Sequence, residues 1–259
     1  MLIIPDKFVF VHMPKTGGQW AKRVLKEAYA DGERLQWQAQ QQRLGWHAPA
    51  SRAGDVDENT IFGFVRNPWD WYVSWFRFLN SQMKHTAWLL DRDSFESFVR
   101  RLLTLSDDDI EARDARGKLT LQVSAQEGPG LPPFGIFANE LGTIKGSGEG
   151  YYTWLFKHTF DAPCRVYRYE DGLSKMVVRA VENAGVDAND RLLKLAAETP
   201  KVNSAWTPVD YRTFYDKHPD LAQLIAERES YVINRFGYSY EGESWQSQKM
   251  DTSQSQSFG

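Results

Sequence analysis

The chain is 259 residues long and 42% hydrophobic, enough to bury one good core, and α/β folds of this length are commonly a single domain. A formal net charge of -3 argues against wholesale binding to nucleic acid or to an anionic membrane, so any anion site has to be small and built from specific residues. The single cysteine, Cys164, allows no intramolecular disulfide and none of the paired Cys/His spacings of structural zinc, which fits a reducing cytoplasm.

In chain order, the N-terminal stretch MLIIPDKFVFVH lacks a basic leading region and is broken by Pro5, Asp6 and Lys7. No apolar run reaches the length of a membrane span, so a cytoplasmic protein without export signal or membrane segment is expected. Lys7 to Met13 is apolar, β-branched and aromatic enough for a buried strand. Gly18 to Ala30 then carries Trp20, Val24, Leu25 and Ala28 at helical spacing, which makes strand, tight turn and helix. The device repeats: TIFGFV, Thr60 to Val65, predicts a second strand, and Asn67-Pro68 sets proline in the first turn of a helix reaching about Met83. Asp93 or Ser94 caps a helix through Leu105, Cys164 to Tyr169 reads as a third core strand, and Leu173 to Ala184 is an amphipathic helix ended by Gly185. Alternation of this kind predicts an α/β fold with a central parallel sheet flanked by helices on both faces.

Between Ser106 and Phe160 the pattern loosens into a charge run (SDDDIEARDARGK), turn chemistry (GPGLPPFG) and a glycine-rich, aromatic stretch (KGSGEGYYTWLFKHTF). Two readings stand side by side: an insertion over 106–160 acting as a lid on the acceptor side, or Tyr152, Trp154 and Phe156 packing on the core. From Glu241 the sequence is polar and low in complexity. The expected organisation is one domain over 1–240 and a flexible tail over 241–259.

Two motifs carry chemistry. In VHMPKTGGQW, residues 11–20, Lys15 precedes the Gly17-Gly18 pair where a strand runs into a helix. Backbone N–H groups and the positive end of the helix dipole converge at such a turn, which suits phosphate. In the Walker A loop the lysine follows the second glycine and a hydroxyl after it ligates magnesium; here the lysine leads, its neighbour Thr16 precedes the glycines, and Gln19 and Trp20 follow them, so no Ser or Thr occupies the magnesium position and anion transfer without a metal is expected. In FGFVRNPWDWYVSWF, residues 62–76, Arg66 ends a strand and Asn67-Pro68 opens a helix. Positions 67, 71 and 74 share one helical face, so Ser74 can lie over the turn carrying Arg66, and the two would form a second cradle from a planar guanidinium and a hydroxyl.

Two anion cradles on successive strand–helix units describe a ligand with two separated phosphates. At His12 to Gly18 and Arg66 to Ser74 the chain resembles the sulfotransferase superfamily, whose donor is 3'-phosphoadenosine 5'-phosphosulfate, the first motif looking like the 5'-phosphosulfate loop and the second like the 3'-phosphate motif. YRYEDG, Tyr167 to Gly172, and the segment from Tyr211 to Tyr240 resemble the family's late strand and closing helices. The resemblance implies a P-loop NTPase-like sulfotransferase fold. It implies that Lys15 contacts the phosphosulfate bridge, that Thr16, Gly17, Gly18 and Gln19 supply loop donors, and that Arg66 and Ser74 hold the 3'-phosphate. Gln19 departs from the hydroxyl residue many relatives carry there. Trp20 matches the position that stacks on adenine, with a core residue of the helix as its other reading. TPKVNSAW occupies the place of a loop folded over the nucleotide, which would bring Lys201, Asn203 or Ser204 to the 3'-phosphate.

Transfer also needs a group to take the acceptor proton. Among five histidines, His47 lies in LGWHAPAS, before the Arg66 strand, at the switch between units where open α/β sheets place ligands, and relatives present a basic histidine from this region. Asp55 and Glu58 are carboxylate reserves; His12 reads as a packed neighbour of the loop, and His85, His158 and His218 have no chemical partner nearby in sequence. The implied activity is sulfuryl transfer to a hydroxyl or amine of a small-molecule or carbohydrate acceptor, with no metal. The other readings are a non-catalytic adenosine-bisphosphate-binding module and a P-loop kinase. Acceptor identity and oligomeric state are not legible, because 14% aromatic residues suit a stacking site and an aromatic core equally.

Overall fold

Period-two alternation in two fully buried strands organises the molecule. The computed structural model describes residues 1–29, 48–82, 94–103, 148–200 and 209–242. Strand β1 (Leu2–Ile4) runs antiparallel to β2 (Phe8–Val11), and β2, β3 (Ile61–Val65) and β4 (Arg165–Arg168) are parallel, in the order β1-β2-β3-β4. The antiparallel edge strand corrects the expectation of a wholly parallel sheet. Pro5, Asp6 and Lys7, which break the apolar run, form the reversal that folds β1 back on β2; Asp6 takes φ 56 and the Lys7 N–H donates to the Ile4 carbonyl.

Successive strand residues face opposite sides. Phe8, Phe10, Phe62 and Phe64 share one face, with ring centroids 5.5 Å apart for Phe8–Phe62 and 5.6 Å for both Phe10–Phe62 and Phe10–Phe64. Over them pack α1 (Gly18–Tyr29), α5 (Leu173–Asn183) and α6 (Asp190–Glu198), through Trp20, Val24, Leu25, Met176, Val177 and Leu192. On the other face Val9, Val11 and Ile61 meet Ala48 and Ala50. Beside them Met13 and Val65 join a larger core with α2 (Pro68–Gln82), α3 (Phe95–Leu103), α4 (Tyr151–Thr159), α7 (Pro219–Arg228) and α8 (Ser230–Phe236). Both faces are covered, as parallel strands require.

The predicted starts of α1, α2 and α5 coincide with those observed, and α5 ends at Asn183, one residue before the expected Ala184, while the ends expected for α1 and α2, at Ala30 and about Met83, lie outside the described residues. Ser94 caps α3 by accepting the Ser97 N–H, and Gly185, at φ 78, follows α5. Of the 106–160 insertion, 148–160 is described. Its aromatic stretch forms α4, with Tyr152 and Phe156 buried and Trp154 packed against the core, which is the packing alternative rather than a lid. The rest of the insertion and the tail beyond Gly242 lie outside the described residues.

Candidate anion-binding site at the strand ends

Because β2 and β3 are parallel neighbours in register (Val11 opposite Gly63), the loops that leave them emerge at the same end of the sheet. The first loop, His12 to Gly17, turns sharply into α1. Lys15 at φ 65 and Gly17 at φ 79 are both left-handed. For lysine this conformation costs roughly 1 kcal/mol or more and persists only where the surroundings over-determine it. The determinants are visible: the Thr16 hydroxyl donates to the Met13 carbonyl at 2.8 Å, and the Trp71 indole N–H donates to the Pro14 carbonyl at 2.9 Å. Gly18 is required by close approach, since a Cβ there would lie 1.8 Å from Cδ2 of the buried His12 ring.

The result is a lysine held at a helix N-terminus. Its Nζ sits 4.1 Å from the ring centroid of Phe78, on α2. Burial, and then the nearby Arg66 guanidinium, push the Lys15 pKa down to about 8. A poorly hydrated ammonium beside a second cation is a site short of negative charge, and the first N–H groups of α1 add to that deficit.

The second loop is fixed by side chains from distant elements. Arg66 follows the last residue of β3, and its backbone N–H and carbonyl both bond the Tyr152 hydroxyl, at 2.8 and 2.6 Å. The Asn67 N–H donates to Glu170 at 2.7 Å, the Asn67 amide donates to the Ser239 carbonyl at 3.0 Å, and its side-chain oxygen accepts the Trp69 N–H. Burial raises the Glu170 pKa, while the Asn67 N–H and the Tyr238 hydroxyl at 3.0 Å pull it down. Pro68 then starts α2 with its fixed φ. The Arg66 side chain, 18% exposed, lies over the Tyr169 ring at 4.9 Å and pairs with Asp70, Nε and Nη2 at 2.7 and 2.6 Å. Its remaining arm, Nη1, donates to the Lys15 carbonyl at 3.3 Å.

That bond joins the two loops. The structure therefore brings Lys15, Thr16, Gly17, Gly18 and Gln19 together with Arg66 at one end of the sheet, with Gln19 exposed on the first turn of α1. Ser74 is half-buried on α2, two turns beyond Arg66. Three expectations change. The Thr16 hydroxyl is engaged inside the turn, so that residue has only its backbone to offer. Trp20 is 3% exposed, sits in the core beneath the sheet and donates its indole N–H to the Thr199 carbonyl at 2.9 Å; its ring has no face open to an adenine. Glu58 stands in the short turn that leads into the start of β3, the length of a strand away from Lys15, about 15 Å, and Asp55 is exposed three residues earlier. Neither carboxylate serves as a base beside Lys15.

Glu58 instead lines a groove of about 570 Å³ with Asn59, Lys157, Arg165, Tyr231 and Arg235, at the opposite end of the strands from the Lys15 loop. His158 stacks on Trp154, and His218 faces Glu96 at 3.3 Å. His47, Lys201, Asn203, Ser204 and His85 lie outside the described residues. Sequence reasoning did not single out Asp70 or Phe78, and it gave Tyr152, which it read only as lid or core, and Tyr169 and Glu170, which it read only as part of YRYEDG, no role at this site. Asp70 carried a signal, an acid four positions after Arg66 on a helix face; the others act across the fold.

Among the described residues no helix is long and apolar enough to cross a membrane, and no three His, Cys, Asp or Glu side chains gather as a metal site would require. Comparison with protein-family models, with curated proteins and with solved structures yields no match.

Proposed function

We propose that the chain is a sulfotransferase that takes the sulfuryl group of 3'-phosphoadenosine 5'-phosphosulfate to a hydroxyl or amine of a small-molecule or carbohydrate acceptor. One observation carries this reading: two cationic turns, one led by Lys15 and one by Arg66, meet at the same end of a parallel sheet, joined by the bond from Arg66 to the Lys15 carbonyl. A nucleotide with phosphates on both its 3' and 5' positions fits such a pair, one phosphate to each turn.

The fit can be read from this chain's own groups. Lys15, desolvated and next to a guanidinium, is better satisfied by an anion than by the phenyl ring it now touches. The α1 N-terminus supplies N–H groups beside it. Arg66 is oriented by Asp70 with its Nη1 edge toward the Lys15 loop, and the half-buried Ser74 lies further along the same helix. In transfer, the acceptor oxygen or nitrogen attacks sulfur in line and the bond from sulfur to the bridging oxygen breaks. The electron pair stays on the departing bisphosphate, where Lys15 neutralises the charge that develops. The acceptor proton goes to His47 in this reading. A sulfuryl group carries less charge than a phosphoryl group, so lysine, backbone donors and a helix dipole are a sufficient set without magnesium.

The test is turnover of 35S-labelled donor with a pool of phenols, alcohols, amines and sugars. Lys15→Ala should lower the rate roughly 10²-fold or more, as loss of an oxyanion donor does. His47→Ala should lose about 10² to 10⁴ in rate with donor affinity nearly unchanged. Wild-type protein that binds 3',5'-adenosine bisphosphate but labels no acceptor would make it a binding module instead. Thermal stabilisation by ATP with magnesium, and not by the bisphosphate, would make it a kinase.

A further inference from the structure

The Arg66 turn owes its shape to a phenol that the proposed chemistry does not use. Arg66 lies one residue beyond the β3 ladder, whose last pair is Val65 with Arg168. In an extended residue the N–H and the carbonyl point the same way, and a neighbouring strand would normally take both. Here the Tyr152 hydroxyl does so alone, accepting from the Arg66 N–H at 2.8 Å and donating to the Arg66 carbonyl at 2.6 Å. A hydroxyl has one proton and lone pairs to offer, so both kinds of capacity are used on one residue. Holding both peptide groups fixes the backbone on either side of the Arg66 Cα, and with it the direction in which the guanidinium leaves the sheet.

The phenol is itself immobile. Tyr152 is fully buried, with its ring 4.6 Å from that of Trp71. It sits in the first turn of α4, whose N–H groups at Tyr152 and Thr153 donate to the Glu229 carboxylate at 3.1 and 2.7 Å. Glu229 is fully buried and also accepts from the Tyr72 hydroxyl on α2. A carboxylate at a helix start, bonded to that helix and to α2, pins α4 against the segment that Arg66 begins.

We infer that Tyr152 is a positioning residue for Arg66 and sets the preference of the site for adenosine nucleotides carrying a 3'-phosphate over those without one. The inference rests on the proposed 3'-phosphate role of Arg66. Tyr152 touches no ligand; it acts through the direction of the guanidinium.

Calorimetric titration with 3',5'-adenosine bisphosphate and with adenosine 5'-phosphate, on wild type, Arg66→Ala, Tyr152→Phe and Tyr72→Phe, tests it, with thermal unfolding recorded for each. Wild type should prefer the bisphosphate and Arg66→Ala should lose that preference. Tyr152→Phe keeps the ring and its packing. It should lose about tenfold of the preference, the equivalent of one good hydrogen bond, with affinity for adenosine 5'-phosphate unchanged within about twofold. Tyr72→Phe removes a phenol from the same buried network without touching Arg66, and should lower the melting temperature while leaving the preference intact. A full preference in Tyr152→Phe, or an equal loss in both phenylalanine variants, would reduce Tyr152 to a packing residue. A wild type indifferent to the 3'-phosphate would instead remove the role of Arg66, and this inference with it.

Discussion

With its pKa pushed down to about 8, Lys15 should make the proposed nucleotide binding a measurable function of pH. In the free protein its pKa is pushed down to about 8 by burial and by the Arg66 guanidinium, whose own charge is partly offset by Asp70. The Phe78 ring, which Lys15 also touches, is neutral. A bound phosphate would favour the ammonium and raise the pKa, so binding takes up a proton between the free and bound values. Affinity for 3',5'-adenosine bisphosphate should be flat below about pH 8. Above it the dissociation constant should rise toward tenfold per pH unit, about tenfold weaker at pH 9 than at pH 7 and about thirtyfold at pH 9.5. Calorimetry in buffers of different ionisation enthalpy reads both the affinity and the proton uptake. Ligand phosphates finish titrating below this window, and the Cys164 thiol, pushed up to about 11 by burial, titrates above it. Lys22 on α1 is the competing source, with a pKa also lowered to about 8 by burial. Lys15→Arg keeps a charge that does not titrate here and should abolish the dependence, whereas Lys22→Arg should retain it. A dependence that survives Lys15→Arg refutes the reasoning. Stability has the opposite sign: with the folded pKa below the ordinary 10.5, the unfolded chain binds more protons between those values, so Lys15 makes the fold more stable as pH rises from about 8 to 10.5.

Gly18→Ala should cost about 3 kcal/mol, at the upper end for overpacking, because the added methyl would overlap the buried His12 ring rather than a flexible tip. In a chain of this size that lowers the melting temperature by about 6 to 12 °C. Adding His12→Ala should recover part of the loss, and strict additivity in urea titrations would show that the ring is not the obstacle. Glu229→Ala should cost about 3 to 5 kcal/mol, since it strands two helix N–H groups and the Tyr72 hydroxyl, while Glu229→Gln should cost clearly less; equal losses would deny the carboxylate its capping role. Burial raises the pKa of Glu229 and of Glu170 above the ordinary 4.5, so these two make the fold less stable as pH rises through the window just above 4.5, and Glu229→Gln should flatten that slope.

What the sequence disclosed, and what it withheld, follows from the range of the interactions. Strands β2 and β3 and the starts of α1 and α2 were legible because the determinants are local: alternating apolar residues, Gly17-Gly18 after a strand, Pro68 after Asn67. The Lys15 and Arg66 turns were legible as separate motifs for the same reason. Their contact was not, since Nη1 of Arg66 reaches a carbonyl 51 residues earlier in the chain. Trp20 shows how the same position supports two functions until burial decides: helical spacing allows a core residue or a ring facing a ligand, and its bond to Thr199, 179 residues away, settles for the core in this structure. Tyr152 is the extreme case. Nothing near it in sequence distinguishes it from Tyr151, which packs on Trp75, and only the approach of α4 to the end of β3, 86 residues apart, turns one of two adjacent tyrosines into the partner of the Arg66 backbone. A motif specifies which groups face an anion; the direction they face is set by residues that no motif contains, and substitutions at those residues should change selectivity before they change chemistry.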